Sequence, residues 1–286
     1  MIGRTAPITA PTIAPTPKPA MTPDFLLSHY RSGQPWPHDL PTDTAADAGA
    51  AYRTALALRA ARIAGGERPV GYKVGFTNRN IWPIYGVHAP IWGTVWDSTL
   101  TDAPMGHGVI DLTGTCQPRL EPETAFGLAA TPPAEPTLAQ LFDCIDWVAP
   151  SFEIVQCHRP GWRCTLAETV ADGALHARLL AGPRQPVRAL APDAAALNAL
   201  LARLAVTLCC GDEARDRGVG ANVLDGPLHA LHHFVREQQA CDGAPPLRPG
   251  DIISTGTWTD AWPVQPGETW QAQFEAPLGA LAVTFR

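Results

Sequence analysis

The chain contains no run of about 18 apolar residues, the length a helix needs to cross a bilayer. It also lacks a cluster of Lys and Arg. Its 21 basic residues are scattered among 27 acidic ones, and the net charge of −6 sets up no attractive field for nucleic acid. Charged residues make up only 17% of the chain, too few for a polyelectrolyte or a disordered protein. The seven cysteines (Cys116, Cys144, Cys157, Cys164, Cys209, Cys210 and Cys241) are odd in number and include no C-x-x-C spacing. That pattern argues against a disulfide framework or a zinc knot and fits reduced thiols in a cytoplasmic protein. Residues 1–22 lack the apolar block of a secretory signal. They carry Pro7, Pro11, Pro15, Pro17 and Pro19 among Thr and Ala, a composition that favours extended, disordered chain, and Met21 is a candidate start.

At 286 residues the chain is long enough for a sizeable core in one large or two modest domains. From Thr42 to Gly66 it is rich in Ala, Leu and Arg, with Tyr52, Leu56 and Ile63 at helical spacing and Gly65-Gly66 as a stop, which predicts one long helix. Beyond it lie short apolar pieces cut by Gly and Pro: VGYKVGF, IWGTVW, GVIDLTG, LEPETAFGLA, RLAVTLCC, DIISTGTW, TWQAQFEA and LGALAVTFR. Such punctuation reads as short strands and turns. Two further helices are expected, near Pro136 to Val148 and from Pro227 to Gln239, with a hairpin turning at Gly211-Asp212.

The segment PRLEPETAF places Glu121 and Glu123 one residue apart, and Glu153 follows in the apolar run SFEIV. Residues i and i+2 of a strand share a face, so Glu121 and Glu123 would enter one pocket side by side. An E-x-E pair alone is usually a solvated strand face. Here the apolar neighbours Leu120, Ala125, Phe126, Phe152, Ile154 and Val155 argue for burial, and burying lone charges is costly. A hard divalent cation, Mg²⁺ or Mn²⁺, would make three converging carboxylates tolerable, since it prefers oxygen ligands and neutralises them.

The motifs GYKVGFTN (71–78), YGVHAPIWG (85–93), QPRLEPETAF (117–126), DWVAPSFEIV (146–155), TVAD (169–172), GPLHAL (226–231) and LRPGDIISTG (247–256) resemble, in this order, the 2-keto-4-pentenoate hydratase and 4-oxalocrotonate decarboxylase group of the fumarylacetoacetate hydrolase superfamily. The resemblance runs from about residue 45 to the C-terminus. It implies an α+β fold: a mixed, β-rich core of the fumarylacetoacetase type over 71–286, with a smaller helical part at 23–70. It also implies Mg²⁺ or Mn²⁺ at Glu121, Glu123 and Glu153, a small-molecule 2-oxo acid substrate and a homo-oligomer. No nucleic-acid or membrane partner is expected.

By the same resemblance Lys73 polarises the 2-oxo acid or moves a proton, Asp97 is a candidate general acid or base, and Gly256 and Thr257 are candidate substrate-carboxylate contacts. Trp82, Trp92, Trp96 and Trp258 are candidates for an apolar pocket wall, Arg119 for an ion pair, and His158 and Asp172 for further pocket residues. His229, His232 and His233 have i, i+3, i+4 spacing without the Glu of H-E-x-x-H, which reads as a solvated helix face. One departure stands out. Where relatives read ADNAS this chain reads ADGAL, so Gly173 and Leu175 replace two polar residues of the site wall. The leading expectation is a hydratase acting on a 2-hydroxy-2,4-dienoate in aromatic-compound catabolism. The rivals are decarboxylation of a 2-oxo-enedioate, hydrolysis of an acylpyruvate, and a non-catalytic partner subunit of a hydratase-decarboxylase complex.

Overall fold

The computed structural model describes residues 21–42, 47–79, 82 and 89–286. The Pro-rich tail and part of the YGVHAPIWG motif lie outside the described residues. Two helices lead the chain. Helix α1 (Pro23–Ser32) starts where Thr22 accepts a hydrogen bond from Phe25 N and stops at Gly33, whose left-handed conformation ends the turn. Helix α2 (Ala48–Ala64) begins later than its composition suggested, because Asp47 caps it by accepting from Ala50 N.

Among the described residues the strands form two mixed sheets. The larger one runs in the order Ile91–Trp96 (β2), Pro69–Gly75 (β1), Ile252–Ser254 (β11), Arg119–Leu128 (β5), Ile145–Val155 (β6), His176–Ala181 (β7) and Leu100–Asp102 (β3). Two short strands, Gln185–Pro186 (β8) and Trp262–Pro263 (β12), pair at its side with β6 and β5. The second sheet has the order Glu213–Val219 (β10), Ala205–Cys210 (β9), Thr269–Phe274 (β13), Ala280–Phe285 (β14) and His107–Ile110 (β4). Strands β9 and β10 form the expected hairpin, with Gly211 at φ 56° in its turn.

Strands β5 and β6 pair antiparallel along nearly their whole length, and almost every residue in them is buried. Their faces pack into one core that joins both sheets through Leu120, Phe126, Phe152, Leu180, Phe234 and Val283. The helix expected near 136–148 is a short one, Leu138–Asp143 (α3), because Ile145 already belongs to β6. Helix Pro227–Ala240 (α7) matches its expected span. Leu166–Ala171 (α4), Val187–Leu190 (α5) and Ala194–Arg203 (α6) were not anticipated.

Candidate active site

Four adjacent strands deliver the site in their spatial order. Lys73 on β1 is in register with Ser254 on β11, Ser254 with Ala125 on β5, and Glu121 on β5 lies directly opposite Glu153 on β6. Two like charges facing each other across an antiparallel ladder destabilise it. The three glutamates nonetheless converge, with one carboxylate oxygen from each lying within 4.8 Å of the others. Glu123 and Glu153 are fully buried and Lys73 is 3% exposed, while Glu121 is half-buried at the cleft. One cation does not neutralise three carboxylates, and each uncompensated buried charge costs several kcal/mol.

Other groups hold Glu123 and Glu153 in place. Glu123 Oε2 accepts from the Gly256 amide at 2.9 Å and from the Ser254 hydroxyl. Lys73 Nζ lies 3.2 Å from Glu153 Oε2. His176 Nδ1 lies 3.0 Å from Glu153 Oε1, and its Nε2 lies 2.9 Å from the Thr99 hydroxyl. Burial, reinforced by Lys73, Arg62 and Arg178, pushes the His176 imidazolium well below its usual range. A neutral ring with its proton on Nδ1 therefore donates to Glu153 and accepts from Thr99.

Without a cation the carboxyl groups keep their protons to higher pH than usual. Burial pushes Glu121 up to about 7 despite Lys73, and Glu153 likewise to about 7. Burial and the charges of Glu153 and Glu121 drive Glu123 higher still. Burial alone would lower Lys73, but Glu153, Glu121 and Glu123 outweigh it and keep the ammonium charged. Glu123 Oε1 receives no hydrogen bond although it is buried, and Glu153 Oε2 has only the Lys73 ammonium at 3.2 Å. Hard, anionic, underused oxygens this close together fit a divalent cation.

The cluster opens into a cleft of about 220 Å³ whose lining includes Lys73, Glu121, Arg119, Trp162, Leu175 and Thr257. Gly256 lines it too, but its amide is committed to Glu123. Gly256 has φ 97°, and a Cβ there would sit 1.9 Å from Thr77 Oγ1, so only glycine fits. The Thr257 hydroxyl donates to Thr259 O at 3.0 Å.

Several expected residues lie elsewhere. Asp97 follows β2 at the Pro69 end of the β1–β2 pair, whereas Lys73 and Ile91 face the cleft at the other end. Its carboxylate pairs with Arg68 at 2.9 Å, and hydrogen bonds from the Arg68 backbone and side chain lower it below its usual range. The strand ladder thus keeps Asp97 from the carboxylates, and no proton-transfer role follows for it. Trp92, Trp96 and Trp258 are buried core residues, and Trp82 donates to Phe76 O at 2.7 Å. Aromatic lining comes instead from Phe76 and Trp162. Arg119 stacks over the Trp162 ring at 4.2 Å in place of the expected ion pair. His158 and Asp172 bond to each other at 2.8 Å beneath α1, His158 stacking on Trp36, so they brace the helical part and are not cleft residues. His232 is bonded to Pro136 O at 2.6 Å.

The altered wall has a physical counterpart. Gly173, Ala174 and Leu175 all have positive φ, and a Cβ on Gly173 would meet Tyr30 Oη at 2.6 Å. Tyr30 fills that space and donates to Asp172 O. The site residues not singled out from the sequence are His176, a lone histidine in an apolar strand, and Ser254, which lay unremarked inside the LRPGDIISTG motif.

Fold and carboxylate cluster together define a mixed-sheet protein whose buried acidic site suits a divalent cation. No family model matches the chain. It is 31% identical to 2-keto-4-pentenoate hydratase 2 of Dechloromonas aromatica, over 84% of this chain and 87% of the relative. It is 28% identical to the 2-hydroxyhexa-2,4-dienoate hydratase of Comamonas testosteroni, over 82% and 85%. In fold it is similar to the 4-oxalocrotonate decarboxylase of Pseudomonas putida G7, solved with magnesium and adipate, with a TM-score of 0.81 and 22% identity over 92% of this chain and 95% of that one. The chain belongs to the 2-keto-4-pentenoate hydratase family.

Proposed function

We propose that the protein is a carbon-oxygen lyase that hydrates a 2-hydroxy-2,4-dienoate, with Mg²⁺ or Mn²⁺ held by Glu121, Glu123 and Glu153. The observation that carries this reading is the glutamate triad, two of its members fully buried, beside Lys73 where the cleft begins. The cation supplies Lewis acidity toward the carboxylate and 2-oxo oxygens of the substrate. Lys73, kept protonated by its three acidic neighbours, faces the same end of the substrate and stabilises negative charge developing on the C2 oxygen. Ketonisation moves the enol proton to C5, leaving a 2-oxo-3-enoate. Water then adds at C4 and a proton at C3, giving a 4-hydroxy-2-oxo acid. Leu175 and Trp162 exclude bulk water from the chain of the substrate.

A second reading rests on Arg119, whose guanidinium lies in the cleft over Trp162. It would meet a carboxylate at the far end of a 2-oxo-enedioate, and loss of CO₂ would lead to the same enolate. The test is an assay with Mg²⁺ or Mn²⁺ of 2-hydroxypenta-2,4-dienoate, a methyl-extended dienoate and a 2-oxo-enedioate, reading water addition and CO₂ release separately. Hydration of a dienoate that stops with EDTA supports the first reading, and CO₂ release without hydration replaces it by the second. Lys73→Ala is expected to depress turnover of every substrate at least 100-fold, on the order of 3 kcal/mol. A variant that keeps near-normal kcat would remove Lys73 from the chemistry.

A further inference from the structure

Two cysteines meet in the wall of the cleft. Cys157 follows β6, the strand that carries Glu153, and is completely buried. Cys164 precedes the cap of α4, is partly exposed and lines the cleft. Both pack in the small apolar cluster of Val155, Leu175 and Trp162, and the Cys157 thiol donates to Arg159 O at 3.5 Å within the same loop.

The intervening loop brings them together by wrapping round Gln117. Gln117 Nε2 donates to Cys157 O at 2.6 Å and to Arg159 O at 3.0 Å. Its Oε1 accepts from Gly161 N at 2.9 Å, and its backbone carbonyl accepts from Trp162 Nε1 at 3.1 Å. Gly161 and Trp162 turn through positive φ, which folds Cys164 back onto Cys157.

We infer that Cys157 and Cys164 are a peroxide-sensitive thiol pair in which Cys164 is attacked first and Cys157 resolves it to an intrachain disulfide. Cys164 is the accessible partner, and its sulfur accepts from the Thr169 hydroxyl at 3.2 Å. Hydrogen bonding from Cys157, and next from Thr169, holds it below its usual range against the effect of burial. Contact with Cys164 and burial keep the proton on Cys157. A thiolate that is accessible and stands beside a resolving thiol is the arrangement that redox-sensitive cysteines share.

The chemistry balances. The Cys164 thiolate attacks hydrogen peroxide, breaking the O–O bond to give a sulfenic acid and hydroxide. The Cys157 thiol then displaces the sulfenic oxygen as water. Overall two thiols and one peroxide give one disulfide and two waters. Bonding requires the sulfurs to approach to about 2.05 Å, which draws in the loop that carries Trp162. Trp162 supports Arg119, so the far wall of the cleft shifts while the carboxylates on β5 and β6 stay in place. The effect on turnover rests on the proposed reading of this cleft, whereas the bond itself does not.

The test treats the full chain with hydrogen peroxide and maps its peptides. Trypsin cleaves after Arg163, so Cys157 and Cys164 fall on different peptides. The expected result is loss of two of the seven thiols, a linked pair of peptides joined through Cys157 and Cys164, and reversal by dithiothreitol. Cys157→Ser should stop at a dimedone-reactive sulfenic acid on Cys164, and Cys164→Ser should abolish both products. Both substitutions are near-isosteric, and unchanged melting would establish that the fold survives. Thiol loss centred on other cysteines, or sulfinic acid at Cys164 with Cys157 still free, overturns the pair. A disulfide formed in full that leaves kcat/KM within twofold overturns its effect on the cleft; a tenfold fall restored by reductant supports it.

Discussion

Glu123 is held from two sides by Ser254 and Gly256 and has one oxygen left without a partner, so its position is set before any cation arrives. Glu123→Ala is therefore expected to abolish measurable Mn²⁺ or Mg²⁺ binding by calorimetry while leaving the metal-free chain folded, since it also removes a repelling charge. Undiminished binding would refute the ligand assignment. His176→Ala should act more mildly, lowering metal affinity roughly 10- to 100-fold, because it orients Glu153 without being a ligand itself. An equal affinity would mean that the neutral imidazole is only filling space. Much of this was legible in the residues. The i, i+2 spacing of Glu121 and Glu123 and the apolar run around Glu153 both pointed to burial. His176 was not legible, because a lone histidine in an apolar strand carries no sign of what its ring faces. Asp97 misled for the opposite reason: its local motif is right, and only the β1–β2 register reveals that it points to solvent and Arg68.

At the scale of elements, β1, β2, β4, β5, β9, β11, β13 and β14 were readable because Gly and Pro cut their apolar pieces at the right places, while β7 was not and the start of β6 read as helix; nor was the pairing between strands distant in sequence. Helices α4 and α6 had start signals, Thr165 with Glu168 and Asp193 before an Ala-Leu run, which brief apolar stretches between strands obscured. The turn after α4 makes a sharper prediction. Gly173 supports the left-handed turn, and Asn tolerates that conformation, yet its Cβ would strike Tyr30 Oη. Gly173→Asn alone should destabilise the chain. Tyr30→Phe, which removes the atom at 2.6 Å and leaves the next at 3.5 Å, should relieve it. A double-mutant cycle in urea is expected to give a coupling of about 1 kcal/mol or more; simple additivity would mean that the two sites do not compete. Leu175→Ser in the relieved background then asks whether a polar wall restores turnover of the shortest dienoate.

For the molecule as a whole, the protonated carboxyls tie stability to pH and metal. Unfolding returns Glu121 and Glu153 from about 7 to their ordinary 4.5. Between those values the folded state binds more protons than the unfolded one, so stability of the metal-free protein falls as pH rises through that window. His176 works in the opposite direction below its usual 6.5, being neutral in the fold and charged when unfolded. Cation binding needs deprotonated ligands, so the rise in Tm produced by excess Mn²⁺ over EDTA should grow from pH 5 to pH 7.5. A metal-induced shift that is the same at both pH values would count against protonated glutamates in the metal-free fold. The order of the large sheet has a last consequence, for synthesis. Strand β11, which supplies Ser254 and leads into Gly256, lies between β1 and β5, so Lys73 and the glutamate strand have no neighbour to join them until residues near 256 have left the ribosome. The nascent chain thus pairs its glutamate strands early but carries them through a long stretch of translation without Lys73 or the Ser254 and Gly256 donors beside them, so the site's charge balance is completed late.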